Sequence, residues 1–365
     1  MLYRLIAVTG DGFKHAVVSL HQDGVYGQPL RDRGVTVTAL GMRRGRLGIA
    51  ALRRLQRIIA EYRPHVVQTW LDHANLVGGL TARLAGAPPV IWAVHCTDLG
   101  PLRSSWKTRL VRRCCAGLSS AVPTSIISPA QSGAALHRQL GFNASKLLVV
   151  PNGVDPAAFQ PDRAARERTR RRWRVAPEET LIGCVARWHP IKDHENLVRA
   201  VRQLADRGYS FRCALVGQGM EHQNTELTRL IERWGVADRM ILAGPTNEVP
   251  AVMNALDLHV LASRSESLPV AVLEAMACGT PCAVTDVGDA RHMVGDTGWV
   301  APPQDCVALA DAIGKWLVPS SPPDREERAR MCRARVIRDF SLSRMGSQYA
   351  ALWMKAAAAG TSRDR

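Results

Sequence analysis

The chain has 365 residues, 46% of them hydrophobic and 22% charged, and a formal net charge of +16. These values fit two domains of ordinary size with a core each, and they exclude a disordered or low-complexity protein. No run reaches the roughly 18 uninterrupted apolar residues of a spanning helix, and the opening Met1–Asp11 is too soon polar for a secretory signal.

In the first part, the apolar runs His15–Leu20, Val35–Leu40, His65–Trp70, Val90–Val94, Ser125–Ser128 and Leu147–Val150 predict strands. Helical spacing predicts helices over 47–62, 74–85, 104–116 and 130–140. The turn-forming run Pro151-Asn-Gly-Val-Asp155 then predicts a boundary between domains 1–150 and 151–340. Beyond it, a basic run at Arg163–Arg174 reads as a short solvated helix. Strands follow at Leu181–Val185, Arg212–Val216, Met240–Ala243, Leu258–Ala262, Pro281–Thr285 and Gly298–Val300. Helices are expected near 194–207, 224–234, 249–255, 270–277 and 304–317. A last helix, 343–358, is expected to cross back onto the first domain. Apolar strands alternating with helices imply an α/β protein of two parallel, doubly covered sheets. Ligands of such sheets bind beyond the carboxyl ends of the strands, so the expected site is the cleft between the domains.

The nine cysteines are scattered, with no Cys-x-x-Cys pair, and read as reduced thiols rather than a disulfide framework or zinc site. The charge is uneven: residues 1–150 hold 19 Lys and Arg against 6 Asp and Glu, the remainder 29 against 26. The first domain therefore faces something anionic. Within Arg43–Arg63, Arg44, Arg46, Arg53, Arg54 and Arg57 surround the helically spaced Leu47, Leu52, Leu55, Ile58 and Ile59. Within Arg103–Arg113, Lys107, Arg109, Arg112 and Arg113 surround a stripe of Leu102, Trp106, Leu110 and Cys114. Two readings stay open for both helices: an apolar face in the core with solvated arginines, or a face lying on anionic lipid headgroups. Nucleic acid is not expected as a partner, since no zinc finger or aromatic RNA-binding motif accompanies the arginines.

The segment Ser263-Arg-Ser-Glu-Ser-Leu-Pro-Val-Ala-Val-Leu-Glu-Ala-Met-Ala-Cys-Gly-Thr-Pro-Cys-Ala-Val-Thr285 carries the most chemistry. Pro269 suits the first turn of a helix and Gly279 its end. The free N–H groups at that helix start make an anion site. Glu266 and Glu274 beside it are useful if they accept hydroxyl hydrogens, and a sugar nucleotide offers both diphosphate and hydroxyls.

Glu266-x7-Glu274 followed by Ala-Met-Ala-Cys-Gly-Thr-Pro resembles the signature of family 4 glycosyltransferases, which are retaining and adopt the two-domain GT-B fold. Pro151–Asp155, Gly183-Cys-Val-Ala-Arg187-Trp-His-Pro-Ile-Lys192-Asp193, Val216-Gly217-Gln-Gly219, Ala243-Gly244 and Asp286-Val-Gly288 are similar to further landmarks of the family. Thr69–Gly79 and Trp92-Ala-Val-His95 resemble members that build bacterial surface polysaccharides. The resemblance implies that Arg187 and Lys192 clamp the donor diphosphate and stabilise the departing nucleotide. It implies that Glu274 accepts ribose hydroxyls, Glu266 binds the transferred sugar, and backbone groups of Ser267, Leu268, Pro269 and Val270 support the phosphate. Gly217, Gly244 and Pro245 belong to the donor loops, the last two toward the base. His95 is expected near the transferred sugar and His73 on the acceptor side, while His189 reads as a loop residue. No metal or cofactor is implied; the donor, UDP- or GDP-linked, is a substrate. Retention by front-face attack needs no enzyme nucleophile.

The resemblance also has a departure. Met1–Ile6 reads as part of the first helix, so about 15–20 residues of an N-terminal strand and Gly-rich loop are expected to be lacking. The expected function is transfer of a sugar from a nucleotide to a lipid-linked or polysaccharide acceptor in cell-surface glycan synthesis. The expected place is the cytoplasm, peripheral on the inner membrane face through helices 47–62 and 104–116. The alternative is a non-catalytic or truncated GT-B protein that binds nucleotide or membrane without transfer. The Glu266-x7-Glu274 pattern is also compatible with a GT-B epimerase or phosphorylase.

Overall fold

The computed structural model describes residues 1–42, 48–86, 88–95, 105–318 and 322–361. They form two units, one made of Met1–Asn152 together with the segment from Leu342 onward, the other of Gly153–Ser341.

The first unit runs α1 (Leu2–Thr9), β1 (Ala16–Ser19), α2 (Gly27–Arg31), β2 (Thr36–Ala39), α3 (Ile49–Tyr62), β3 (Val67–Trp70), α4 (Asp72–Leu84), β4 (Val90–Ala93), α5 (Trp106–Leu118), β5 (Ser125–Ser128), α6 (Gln131–Gln139) and β6 (Leu147–Val149). Strands β3-β4-β5-β6 make one parallel sheet, and β1 pairs with β2 in a second, also parallel. Every strand is four residues or fewer, and alternation decides which face each side chain covers. On one face Leu40, Leu55, Ile59, Val77, Trp92 and Ile126 pack together. On the other, Leu5, Ile91 and Ile127 pack with Tyr349 and Trp353 of the last helix, α15 (Leu342–Thr361). Trp353 also donates from Nε1 to Gln68 Oε1 on β3, 3.1 Å away.

The two basic helices differ. In α3, Leu55 and Ile59 are buried and Arg53 and Arg57 exposed, as an amphipathic helix requires; Arg43, Arg44, Arg46 and Leu47 lie outside the described residues. In α5 the expected apolar stripe is the wrong way round for a core. Trp106 and Leu110 are 64% and 53% exposed and Cys114 is exposed, while Arg112 is 5% exposed. Arg112 is paired with Asp72 at the start of α4, whose carboxylate, also buried, accepts from Arg112 Nε at 2.9 Å, and Cys115 packs beside them. The inward side of α5 carries this ion pair together with Val111, Cys115 and Leu118, which pack on the core. Leu102 and Arg103 lie outside the described residues.

The second unit contains α7 (Arg163–Arg172), β7 (Leu181–Val185), α8 (His194–Asp206), β8 (Arg212–Val216), α9 (Thr225–Arg233), β9 (Met240–Gly244), α10 (Val249–Ala255), β10 (Leu258–Leu261), α11 (Val270–Ala277), β11 (Cys282–Thr285), α12 (Ala290–Val294), β12 (Trp299–Ala301), α13 (Cys306–Leu317) and α14 (Pro322–Phe340). Its six strands are parallel in the order β12-β11-β10-β7-β8-β9. The order reverses between β10 and β7, which makes the ends of these two strands the switch point where a doubly wound sheet binds its ligand.

Three helices, α2, α12 and α14, escape the pattern reading. The first two are five residues long. α14 is crowded with arginines, and its buried stripe is only Cys332, Val336 and Phe340. Arg333 donates from this helix to the carbonyls of Pro156, Phe159 and Ala277, so polar bonds do much of its fastening. α7 is not merely solvated either: Arg166 and Arg170 both pair with Asp257.

Candidate active site

Five loops of the second unit leave the carboxyl ends of parallel strands: 186–192 after β7, 217–219 after β8, 244–248 after β9, 263–269 after β10 and 286–289 after β11. Main-chain bonds tie them together. Ala186 and Trp188 donate to Val216 and Gln218, Gly217 to Gly244, and Asp289 to Ser267. Two glycines are needed for this closeness. A Cβ on Gly217 (φ 141°) would lie 2.2 Å from the Ala186 carbonyl oxygen. One on Gly288 (φ 57°) would lie 2.4 Å from the carbonyl oxygens of both Glu266 and Ser267. The glycines quoted in the sequence motifs therefore hold the loops at backbone contact.

At the switch point the β7 and β10 loops interlock. Lys192 Nζ lies 2.5 Å from Glu266 Oε1, and Ser263 Oγ donates to the same oxygen at 2.7 Å. Ser263 is buried and its own carbonyl accepts from Thr285 Oγ1. Two of the residues expected at a donor site, one cation and one anion, thus sit in direct contact. Arg187 stands two residues beyond β7, exposed, with no ion-pair partner among the described residues.

α11 begins next to this pair. Pro269 occupies the position before its first residue rather than the first turn, and it accepts from Val272 N at 3.0 Å. Having no N–H, Pro269 cannot support a phosphate as expected; of the four residues 267–270 only Ser267, Leu268 and Val270 have an amide hydrogen to give. Leu268 is buried and serves the packing. The Ser267 hydroxyl oxygen, two residues before Pro269, is buried and finds no hydrogen-bond partner among the described residues. Buried polar groups rarely go unpaired, and an anion bound there would satisfy it. Glu274, the one charged residue of an otherwise apolar α11, is 9% exposed. Pro245 is exposed at the rim of the β9 loop.

Ser263, Asp193 and Arg264 were not assigned a role from the sequence. A serine three residues before Glu266 was the available signal for the first; for the ion pair between the other two there was none, because 71 residues separate them.

In the first unit, His95 follows β4 and stacks on Trp70, ring centroids 5.0 Å apart and planes 15° from parallel. Trp70 stacks in turn on Tyr349 of α15. Burial, with smaller contributions from the chain's amino terminus and His137, lowers the His95 pKa to about 4, so the ring is neutral. Its Nε2 has no partner among the described residues. His73 is the second residue of α4 and exposed. The preceding Leu71 is exposed and holds φ 75°, a conformation costly for a branched side chain. His189 accepts from Ile191 N and caps the turn Pro190–Lys192, a structural role in its loop.

Comparison with known proteins agrees across both units. The family model for glycosyl transferases group 1 matches residues 179–318, and that for Glycosyltransferase Family 4 matches residues 6–158. The 2-deoxystreptamine glucosyltransferase of Streptomyces kanamyceticus is 30% identical over 301 residues, 77% of this chain and 75% of that protein. The GDP-mannose-dependent alpha-(1-6)-phosphatidylinositol monomannoside mannosyltransferase of Mycobacterium tuberculosis H37Rv is 30% identical over 280 residues, 73% of this chain and 70% of that one. Among solved structures, Anabaena Alr3699/HepE in complex with UDP superposes with a TM-score of 0.83 at 21% identity, covering 96% of this chain and 95% of its own.

Proposed function

The chain belongs to the family 4, group 1 glycosyltransferases, nucleotide-sugar-dependent enzymes of GT-B fold, and we propose that it is a retaining transferase acting on a lipid-linked or polysaccharide acceptor. The observation that carries the donor half is the contact of Lys192 and Glu266 at the switch point, beside a helix start with an unpartnered buried hydroxyl. Lys192 and Arg187 would take the diphosphate and offset the negative charge that grows on it as the glycosidic bond breaks. To do so, Lys192 exchanges a carboxylate for a phosphate, which frees Glu266 to accept sugar hydroxyls. Glu274 would accept from the ribose. The neutral His95 ring has a free nitrogen for a hydroxyl of the transferred sugar or acceptor.

A thermal-unfolding series with UDP, GDP, ADP and their common sugars tests this reading. One nucleotide raises the melting temperature, and ligand at 100 times its Kd adds about 2.7 kcal/mol. The shift is lost in Lys192→Ala and Glu274→Ala. No shift with any nucleotide overturns the donor site.

For the acceptor half we infer peripheral attachment to the inner, cytoplasmic membrane face. Two things support it: the excess of Lys and Arg in the first 150 residues, and the exposed Trp106 and Leu110 on α5. Lys107 lies over the Trp106 ring at 5.7 Å, and Arg109 and Arg113 flank it in exposed positions. Cations gain about 1 kcal/mol each near an anionic surface, and tryptophan settles at the headgroup level. No described helix is long and apolar enough to cross a membrane. The protein is expected to sediment with phosphatidylglycerol vesicles at low salt and to be released at high salt. The double variant Trp106→Ser with Leu110→Ser weakens that attachment while leaving the melting temperature in place. Wild-type protein that stays in the supernatant sinks the membrane reading.

A further inference from the structure

Arg264 and Asp193 form a second ionic contact between the β7 and β10 loops, and its geometry brackets Lys192. The Arg264 N–H donates to the Ile191 carbonyl at 2.8 Å, one residue before Lys192. The Arg264 guanidinium reaches the Asp193 carboxylate at 2.7 Å, one residue after it. Two residues further along the same loop, Glu266 takes the Lys192 ammonium. One arginine thus grips the chain on both sides of the lysine whose charge the donor site needs.

The pair is not an ordinary surface ion pair. The Asp193 side chain is 3% exposed, whereas that of Arg264 is 38% exposed. Exposed pairs contribute little, but a buried carboxylate deprived of its cation is strongly unfavourable. Asp193 also stands at φ 50°, ψ 51°, the left-handed corner at which the turn Pro190–Lys192 becomes α8. Aspartate tolerates that conformation better than most side chains, yet glycine would adopt it more freely. A carboxylate kept at a corner suited to glycine, buried and answered by an arginine from the facing loop, is a costly arrangement for shape alone. Its partner pays this back by fixing where the turn ends, and with it the direction in which Lys192 points.

We propose that Arg264 and Asp193 are positioning residues for transfer: they hold Lys192 and Glu266 in register with each other across the switch point. This rests on the donor-site reading above. A misplacement of about 1 Å at a charged group can cost on the order of a hundredfold in rate, so the pair acts on turnover while touching no substrate itself.

Asp193→Gly is the informative variant, because it removes the carboxylate and relieves the backbone at once. We expect it to keep the wild-type melting temperature within a few degrees and still bind the nucleotide alone. Its kcat with the full sugar donor falls about ten- to a hundredfold. Arg264→Ala loses turnover similarly but also melts earlier, since it strands Asp193. Arg264→Lys, which keeps the charge, recovers part of the rate. Arg264→Ala combined with Asp193→Gly is no slower than the slower single variant, as coupled partners require. Asp193→Gly turning over within twofold of wild type, or single losses that multiply in the double variant, overturns the proposal and leaves the donor site standing. A wild-type chain that binds and turns over no nucleotide sugar overturns both.

Discussion

Lys192→Ala is expected to lower kcat/KM for the nucleotide-sugar donor by about 10²- to 10³-fold, the loss seen when one preorganised donor to a developing oxyanion is removed. The size follows from where the lysine stands. Its side chain is three-quarters buried, at the switch point of the sheet, and that of the facing Glu266 is more buried still. Removing the cation does two things. The leaving diphosphate would lose a counter-charge, and Glu266, answered among the described residues only by Ser263, would repel the incoming donor. Lys192→Arg keeps charge but not reach, and is expected to fall between the two. Steady-state kinetics with the donor named by the melting series measures this. A Lys192→Ala enzyme within threefold of wild type would exclude Lys192 from the transition state and return the Lys192–Glu266 contact to a loop fastening.

The largest expected effect on stability lies in the first unit, at Arg112. Its guanidinium and the Asp72 carboxylate have side chains 6% and 9% exposed and meet at 2.9 Å. Arg112→Ala leaves a buried carboxylate without its cation, which costs about 3–5 kcal/mol. Arg112→Met with Asp72→Leu removes both charges and fills similar volume, and such replacements are often neutral or stabilising. Chemical denaturation followed by circular dichroism reads both. The single variant should show a clearly lower midpoint at unchanged slope, and the double variant should recover it. Equal loss in both would mean that α5 is held by shape rather than by charge.

The strands were readable in the sequence because each is a short apolar run bounded by turn residues, and β7, β8, β5 and the helices α10 and α11 lie where spacing places them, to the residue. The glycines and the Glu266–Glu274 spacing were readable for a related reason: backbone contact and helix starts leave local marks. For α5 the spacing left two readings open, and the exposed Trp106 and Leu110 set aside the one with that stripe in the core. Its periodicity is genuine, but periodicity reports only that two sides differ, and the side that went in carries Val111, Cys115 and Leu118 together with an arginine paired 40 residues away in sequence. α14 failed because its attachment uses Arg333 bonded to main-chain carbonyls rather than an apolar stripe. The Arg264–Asp193 pair was invisible in the same way. Pairings across long sequence separation carry no signature in one sequence, even where, as here, one lies beside Lys192.

The first unit is discontinuous: Tyr349 and Trp353, which complete one face of its core, arrive some 200 residues after the last strand of that unit. The intervening unit, Gly153–Ser341, is contiguous. During synthesis at about 5–20 residues per second, those residues take on the order of ten to forty seconds to appear. For that interval the face formed by Leu5, Ile91 and Ile127 lacks the residues that cover it, and the second unit is made in the meantime. The first unit is thus begun first and completed last, after Ser341 has ended the second.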